Sequence, residues 1–349
     1  MLIDCFPAFQ EIDLAEFRVR YLSKFVDYVV IAESDLTHSG YEKPLYFTEW
    51  LNSKPIFKDK VEILHINLNL NSTAWEREIA TRETLIRYAA MKYPKAQFIL
   101  SDLDEIPSRE QVKRFLELSG SYHFSTPTTY RYANWHLVDE HATWKLGVMG
   151  NSEISERKNG GRLDKLPTLD ALDCGLHFSY LNHDSIGMEK KLRSFAHQEL
   201  AFPEMYSSNL LQFSNAYQID HLGRFNRKGN GLLNVRRKET LSEIQIEAFK
   251  FQQSWFNFET ITLRTYARKF ASLVVTAISR NKVSSIIIYR HFVLRSERRR
   301  TQIFLAYLYL TSTLYRCTSM RIKHELKKKY RNIATKYERH RFLNNEQTT

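Results

Sequence analysis

Apolar runs and amphipathic stretches alternate along the first 120 residues of the chain. The apolar runs predict strands, and the amphipathic stretches predict helices; the strands fall at 2–6, 27–32, 61–66 and 98–100 and the helices at 11–24 and 75–92. Strands and helices that alternate at this spacing form parallel sheets. The pattern therefore predicts an α/β fold with a Rossmann-like, mostly parallel sheet that is flanked by helices.

The pattern changes after residue 120. Residues 121–200 are rich in Tyr, Trp, His and Thr, and short strand-like runs occur at 121–125 and 175–180. Between these runs lies Ser155–Lys165, a polar segment with two adjacent glycines. Polar segments that contain glycine are typical of loops, so we expect a mobile loop here, and a flap that excludes water from a site is one use for it.

The C-terminal part of the chain is helical and strongly basic. The helical pattern begins near Ser242, which predicts one domain over 1–250 and a basic α-helical region over 251–349. Residues 261–349 contain 20 Lys and Arg against four Glu, so their net charge is +16, whereas the rest of the chain has a net charge of −4. A basic amphipathic helix favours an anionic membrane surface; the alternative is a helical bundle that packs on the first domain.

Cysteines and apolar segments bear on where the protein works. Cys5, Cys174 and Cys317 are far apart and odd in number, which predicts a reducing compartment without disulfides. Met1 leads directly into a predicted strand, and no apolar stretch reaches the ~18 residues of a membrane-spanning helix. We expect a cytoplasmic protein, peripheral on the inner face of a membrane.

An acidic cluster, Asp102-Leu103-Asp104-Glu105, follows the strand predicted at 98–100 and ends before Pro107. Residues two apart in an extended segment point to the same side, so Asp102 and Asp104 are expected to face one point beyond the strand end. Ligands bind at this edge of open α/β sheets. Converging carboxylates favour a cation, and Mg²⁺ binds one or two carboxylates plus substrate phosphates. The alternative is a solvated acidic loop.

Two further patterns lie before this cluster. Glu33 directly follows a predicted strand and precedes the polar segment 34–40, which suits a nucleotide base or ribose, or an ordinary turn. Glu78 and Arg82 are four residues apart on a predicted helix, the spacing of a surface ion pair. In the functional alternative, Arg82 binds diphosphate oxygens, because a guanidinium group matches phosphate geometry.

Two more patterns lie after the cluster. Asp173 precedes a predicted strand that carries His177, which is a core histidine, a third metal ligand or a phosphate contact. A run of basic and polar residues on a predicted helix follows, comprising Lys190, Lys191, His197 and Glu199. This run is either a solvated helix face or a basic wall that faces a diphosphate, with its last two members near the reacting centre.

Taken together and in this order, the patterns resemble glycosyltransferase family 17. The resemblance covers about residues 1–240, and it is carried by Asp4–Phe6, Glu11–Leu14, Val29–Ser34, Thr37, Gly40, Lys43–Leu45, Glu78, Arg82, Ser101–Pro107, Gly175–Tyr180 and Ser194–Glu199. It implies a GT-A fold, a UDP-GlcNAc donor, a divalent metal ion and inversion at the anomeric carbon. It also implies a β-1,4-N-acetylglucosaminyltransferase-like activity on a glycan acceptor.

The chain departs from the family pattern in three ways. Leu176 stands where a Trp is expected between Gly175 and His177. A membrane anchor and stem, which precede the catalytic domain in eukaryotic members, are not expected here, and the basic tail has no counterpart in the family. A cytoplasmic enzyme that builds a bacterial-type surface glycan is therefore at least as good an interpretation as an enzyme that acts on a glycoprotein.

A mechanism of this kind gives each candidate residue a hypothetical role. A Mn²⁺ or Mg²⁺ ion would be bound by Asp102, Asp104 and His177. The side chains expected to contact the UDP-sugar are Glu33, Arg82, Asp102, Lys190, Lys191 and His197. An inverting transfer needs a base on the acceptor hydroxyl, and the candidates, ranked in order, are Glu199, Asp173 and Glu105.

Two other classes of function remain open from sequence. A metal-dependent enzyme that acts on nucleic acid would use the two aspartates together with the basic tail. Residues 1–260 are net acidic, however, so no specific nucleic acid is expected as a partner. A protein that binds sugar nucleotides or glycans without turnover would carry the same motifs.

Overall fold

The computed structural model describes residues 1–138, 142–169, 171–181, 184–201 and 234–258, with Tyr206, Ser208, Leu211, Ser214, Asn215 and Asp220 between the last two ranges. All of these residues belong to one compact unit of the chain. The basic helical region predicted over 251–349 lies outside the described residues, apart from its first eight positions. The domain boundary at residue 250 therefore stays a prediction.

Four parallel strands and the helices between them form the first part of the fold. In chain order these are β1 (Leu2–Pro7), α1 (Ile12–Leu22), β2 (Tyr28–Glu33), α2 (Tyr46–Ser53), β3 (Val61–His65), α3 (Ala74–Lys92) and β4 (Gln97–Leu100). Strand β1 pairs with β2 and β4, and β3 lies outside β2, which gives the parallel order β3-β2-β1-β4. The α/β alternation predicted from the sequence is confirmed here.

Most of the later strands extend this sheet in the antiparallel sense, while β9 and β10 pair parallel with β6. They and their helices are β5 (Glu105–Ile106), α4 (Arg109–Leu116), β6 (Tyr122–Tyr130), β7 (Tyr132–Val138), β8 (Thr143–Gly150), β9 (Thr168–Leu169), β10 (Leu176–Ser179), α5 (Ser185–Ser194), β11 (Asn234–Arg237) and α6 (Glu243–Phe251). Strand β8 pairs antiparallel with β4, and β6, β7 and β11 follow in turn. The sheet is therefore mixed, and the expectation of a mostly parallel sheet holds only for β1–β4. Strands β6 and β7 are joined by Arg131 alone, and so short a connection returns the chain antiparallel.

The core lies on both faces of the sheet, because successive side chains of a strand point to opposite sides. Phe6, Ile31 and Ile99 pack with α1 on one face. On the other face, their neighbours Cys5 and Leu100 pack with Val30 and with α3. The sheet is thus covered on both sides, which leaves its edges and strand ends for the site.

The segment 155–165, predicted as a mobile loop, forms part of two short 3₁₀ helices, Ser152–Glu156 and Lys158–Gly161. Asn159, Gly160 and Gly161 have positive φ angles and are buried. A Cβ atom on Gly160 would lie 2.1 Å from Cδ2 of Leu100. This close packing on β4 is contrary to the expectation of a mobile loop that serves as a flap.

Within the part of the chain that the structure describes, no helix combines the length and the apolar character that crossing a membrane requires.

Candidate active site

The candidate site lies where the parallel strands end. Strands β1, β2 and β4 run in the same direction, so their carboxyl ends meet at one edge of the sheet. Asp102 and Asp104 follow β4 at this edge, and Glu33 is the last residue of β2. The sequence prediction that the acidic cluster lies beyond a strand end is met.

Arg18 of α1 fixes the backbone of the acidic cluster. Its guanidinium group forms a fully buried ion pair with Asp4 at 2.6 Å. It also donates to the carbonyl oxygens of Asp102 at 2.6 Å, Leu103 at 3.2 Å and Glu105 at 3.1 Å. One buried arginine thus sets the shape of the loop that presents both aspartates.

The carboxylate of Asp102 is bound on both oxygens by arginines. Arg82 donates to Oδ1 at 2.7 and 3.0 Å, and Arg162 donates to Oδ2 at 3.0 Å. Burial opposes the charge on Asp102, but Arg162 and Arg82 outweigh it and lower the pKa of its carboxyl. Asp102 is therefore an ionised group whose position two cations fix.

The carboxylate of Asp104 has looser contacts. Its Oδ2 lies 3.3 Å from Nζ of Lys191, and its Oδ1 lies 3.7 Å from Nε2 of His177. Burial opposes its charge, yet Lys191 and His177 hold the pKa of the Asp104 carboxyl well below its usual range. Lys191 is itself buried and contacts Glu11 at 2.9 Å. The structure thus brings Asp104, His177 and Lys191 together, as the sequence patterns predicted.

Glu105 does not fit the role of a base. Its side chain is 1% exposed, and both its oxygens accept hydrogen bonds from Arg162, at 2.9 and 3.0 Å. Trp144 donates its indole N–H to the same carboxylate. A buried carboxylate that is bound in this way does not reach an acceptor hydroxyl, so Glu105 is better described as a structural partner of Arg162.

Asp173 also lies away from the two aspartates. Its backbone N–H donates to Glu110 at 2.9 Å, and its carbonyl accepts from Ser108, so it lies at the start of α4. Burial and the neighbouring Glu243 and Glu110 raise the pKa of its carboxyl. The second candidate base is thus part of another cluster of acidic residues. The side chain of Glu199 lies outside what the structure describes, so its role stays a prediction.

Glu33 has a structural position as well. It is 1% exposed and accepts hydrogen bonds from the backbone N–H groups of Phe47 and Thr48, at 2.8 and 2.9 Å. These N–H groups belong to the first turn of α2, whose positive dipole end favours a carboxylate. The expected contact of Glu33 with a nucleotide is therefore replaced by a cap on α2.

The basic run predicted as one helix face is divided. Helix α5 ends at Ser194, so His197 and Glu199 lie beyond it. Lys191 points into the site, whereas Lys190 is exposed on another side of the helix. His197 is exposed and contacts the ring of Trp75 at a centroid distance of 4.6 Å. Lys190 is thus not brought to the carboxylates, while Lys191 is.

The net charge of the groups around the two aspartates is negative, which favours a divalent cation. No group of three His, Cys, Asp or Glu side chains among the described residues is arranged to hold a metal ion alone. A metal that also binds substrate phosphates needs only one or two carboxylates from the protein. Five carboxylates contact three cationic groups here, which gives the cluster a net charge of −2 when His177 is counted as neutral. The carboxylates are those of Asp102, Asp104, Glu105, Glu78 and Glu11, and the cationic groups are those of Arg82, Arg162 and Lys191. The donor set of oxygen atoms and the charge both fit Mg²⁺ or Mn²⁺.

Sequence reasoning missed Arg18 and Arg162. Arg18 had a signal, because it lies among the apolar positions Leu14, Phe17 and Leu22 of an amphipathic helix, where a charge implies a buried partner. The sequence has no comparable signal for Arg162, because this residue contacts Asp102 only as a result of the positive φ angles at 159–161.

The chain was compared with curated proteins and with solved structures. No curated protein matches the chain. Among solved structures, HddC from Yersinia pseudotuberculosis is similar at 13% identity over 50% of this chain and 88% of HddC, with a TM-score of 0.31. The same protein complexed with GMP-PN is similar at 14% identity over 51% and 88%, with a TM-score of 0.30. TM-scores this low support no structural conclusion.

The sequence model of glycosyltransferase family 17 matches residues 2–214, well over half of the chain. The match contains all five carboxylates and all three cations of the site. The chain therefore belongs to glycosyltransferase family 17.

Proposed function

We propose that the chain is a metal-dependent, inverting glycosyltransferase that moves N-acetylglucosamine from UDP-GlcNAc to a hydroxyl group of a glycan or lipid-linked glycan. The observation that carries this proposal is the unequal state of the two aspartates. Both oxygens of Asp102 are bound by guanidinium groups, whereas Asp104 contacts Lys191 and His177 at 3.3 and 3.7 Å. Asp104 is therefore the carboxylate with lone pairs to offer to a metal ion.

Asp104 would hold the metal ion, and His177 is the side chain placed to assist it. When bound, Mn²⁺ or Mg²⁺ supplies positive charge to the diphosphate of the donor as UDP departs. Nδ1 of His177 is buried and has no hydrogen-bond partner among the described residues. Nε2 of the same ring faces Asp104.

Lys191 is the second source of positive charge for the departing UDP. Its ammonium group lies between Asp104 and Glu11 and faces the rings of Tyr180 and Phe195 at 5.3 and 5.1 Å. Such surroundings keep the ammonium group charged, and Glu11 and Asp104 raise its pKa against the effect of burial. A fixed cation next to the phosphates stabilises charge that develops there.

The transfer itself needs one base. The acceptor oxygen attacks C1 of the sugar from the face opposite UDP, its proton passes to a carboxylate, and UDP leaves with the bonding electron pair. Glu199 remains our candidate for this carboxylate. It lies five residues after Ser194, the last residue of α5, and belongs to the 3₁₀ helix Gln198–Leu200, which follows the helix that carries Lys191.

The GT-A-like class and the place of work are part of the same proposal. The parallel order β3-β2-β1-β4, with the acidic pair at its carboxyl edge, supports a nucleotide-binding sheet. The net charge of +16 on residues 261–349 supports a cytoplasmic enzyme that is peripheral on an anionic membrane.

A donor screen tests the proposal. The purified chain is incubated with UDP-GlcNAc, UDP-GalNAc, UDP-Glc, UDP-Gal and GDP-Man, each with Mn²⁺, with Mg²⁺ or with EDTA, and release of the nucleoside diphosphate is measured. We expect metal-dependent release of UDP, fastest from UDP-GlcNAc. Release that continues unchanged in EDTA contradicts the metal, and preference for another donor contradicts the sugar. Cleavage of a DNA substrate with no release from any donor contradicts a transferase.

A further inference from the structure

Two aromatic rings from different elements contact each other, and the helices in or after which they lie, α3 and α5, also carry residues that bind the two aspartates. Trp75 lies in the first turn of α3 and is 45% exposed, and His197 lies in the segment after α5 and is also exposed. Their ring centroids are 4.6 Å apart, with an angle of 85° between the ring planes. In this perpendicular arrangement the contact covers at most one face of the indole, and nearly half of the side chain remains accessible.

Helix α3 connects Trp75 to Asp102. Trp75, Glu78 and Arg82 are spaced i, i+3, i+7, so they lie on one face of the helix. Arg82 is the residue of this face that binds Asp102, at 2.7 Å. Seven residues of α-helix span about 10 Å, which a ribose and a phosphate ester can bridge.

Helix α5 connects His197 to Asp104. Lys191 on α5 contacts Asp104 at 3.3 Å, and His197 follows the last residue of this helix by three positions. The two elements that hold the two carboxylates therefore meet again at the Trp75–His197 contact. A ligand that extends from the carboxylates along these two elements would reach the rings.

The loop next to the rings is fixed by short contacts. Arg77 donates from Nε to the carbonyl of His38 at 2.7 Å, and the N–H of Ser39 donates to the carbonyl of Ser194 at 3.2 Å. Gly40 has φ +93, and a Cβ atom there would lie 3.2 Å from the guanidinium of Arg77. This loop, 37–40, follows β2 and contacts both α3 and the end of α5. These contacts fix the two elements that carry the rings.

We propose that Trp75, supported by His197, is the stacking surface for the nucleobase of the donor nucleotide. The inference rests on the proposed function, because it takes the diphosphate to lie at Asp104 and Lys191. A planar base matches an indole face in size, and stacking on an aromatic side chain is a strong and general contact for nucleobases. The loop at the end of β2 lies where α/β sheets bind nucleotides.

Direct binding of two probes to the full chain tests the inference without an acceptor. In the presence of Mn²⁺, the affinities for UDP and for inorganic diphosphate are measured by titration calorimetry. The chains compared are the wild type, Trp75→Ala and Trp75→Phe. Met91→Ala serves as the matched control, since Met91 is an exposed apolar residue near the other end of α3.

We expect Trp75→Ala to weaken UDP binding about 5- to 150-fold and to leave diphosphate binding unchanged, with Trp75→Phe close to wild type. Because Trp75 is exposed, the thermal unfolding of the variants should match that of the wild type. Equal UDP affinity in Trp75→Ala and wild type overturns the inference alone, as does an equal loss for both probes. A wild-type chain that binds neither probe overturns the proposed function and this inference with it.

Discussion

At the scale of the residue, two aspartates of one short motif have different surroundings. Asp102 accepts hydrogen bonds from Arg82 and Arg162, while Asp104 has looser contacts. A sequence pattern of two carboxylates two residues apart predicts that both face one point, but it does not distinguish them. The arginines make the distinction, because they occupy both oxygens of Asp102.

Substitution of Arg162 tests how far the acidic loop depends on one guanidinium group. Arg162 is 3% exposed and contacts both Asp102 and Glu105. Arg162→Met leaves buried negative charge without its partner, so we expect the free energy of unfolding to fall by about 3–5 kcal/mol. Urea unfolding followed by circular dichroism measures this change.

Arg157→Met is the matched control for this substitution. Arg157 lies in the same segment, and its ion pair with Asp164 is more than one third exposed on both sides, so the loss should stay within about 1 kcal/mol. If the two variants unfold alike, the buried network does not stabilise the loop as described.

At the scale of the element, the sequence predicts the first half of the fold better than the second. Strands β1, β2 and β4 are largely buried apolar runs, β3 is half-buried, and amphipathic helices separate them, so the local pattern is clear. Strand β6, Tyr122–Tyr130, carries four Ser and Thr residues and Pro127, so it has neither a continuous apolar run nor a regular alternation. Its pairing with β7, β8, β9 and β10 comes from tertiary packing, which the local pattern does not encode.

The segment that carries Arg162 shows the same limit. Its polar residues and two glycines predict a loop, yet Gly160 packs against Leu100 of β4. The glycines serve a backbone with positive φ angles and close approach to a strand, not mobility. The sequence is compatible with a mobile loop and with a tightly packed turn, and the packing on β4 shows that it is the turn.

Gly160→Ala tests this close packing. The added Cβ would lie 2.1 Å from Leu100, at φ +64, so we expect a loss of about 2–4 kcal/mol of unfolding free energy from the clash and the backbone strain together. Gly120→Ala is the control, because Gly120 has φ +100 with open space around its Cβ position. This control isolates backbone strain, of about 1–2 kcal/mol. Equal losses measured by urea unfolding would mean that the segment does not pack on β4.

At the scale of the whole molecule, negative and positive charge are separated along the chain. The net charge is −4 over residues 1–260 and +16 over 261–349. The average of +12 therefore describes neither part. The site gathers carboxylates in the acidic part, which is compatible with a metal-bound donor and unfavourable to a nucleic acid.

Buried histidines should make the stability of the molecule depend on pH. Burial lowers the pKa of His136 to about 4 from its ordinary value of 6.5, and the partial burial of His38 outweighs the neighbouring Glu78 and lowers the pKa of His38 to about 4 as well. Between pH 6.5 and 4 the unfolded chain binds these protons and the folded chain does not, so stability should fall as the pH is lowered through this window. Urea unfolding at pH 7, 6 and 5 measures the slope. His136→Gln should reduce it, and an unchanged slope in that variant would contradict a neutral His136.

The basic tail is expected to bind anionic membranes. Each basic residue near an anionic surface adds about 1 kcal/mol of attraction. Flotation with phosphatidylserine-containing liposomes should recover the full chain at low salt and release it at high salt, while neutral liposomes should not recover it. A chain lacking residues 261–349 is the comparison. Equal and negligible flotation of both chains on anionic liposomes would exclude membrane docking by this region.

The central claim is that Asp104 makes sugar transfer depend on a metal ion. The most direct measurement is the rate of UDP release from UDP-GlcNAc with Mn²⁺ for the wild type, for Asp104→Asn and for Glu189→Gln, an exposed acid-to-amide control on α5. We predict metal-dependent release by the wild type and by Glu189→Gln, and a loss of at least about 100-fold in Asp104→Asn, with the thermal unfolding of both variants showing that they are folded. Full activity of Asp104→Asn, or a wild-type rate that EDTA does not change, would contradict the account.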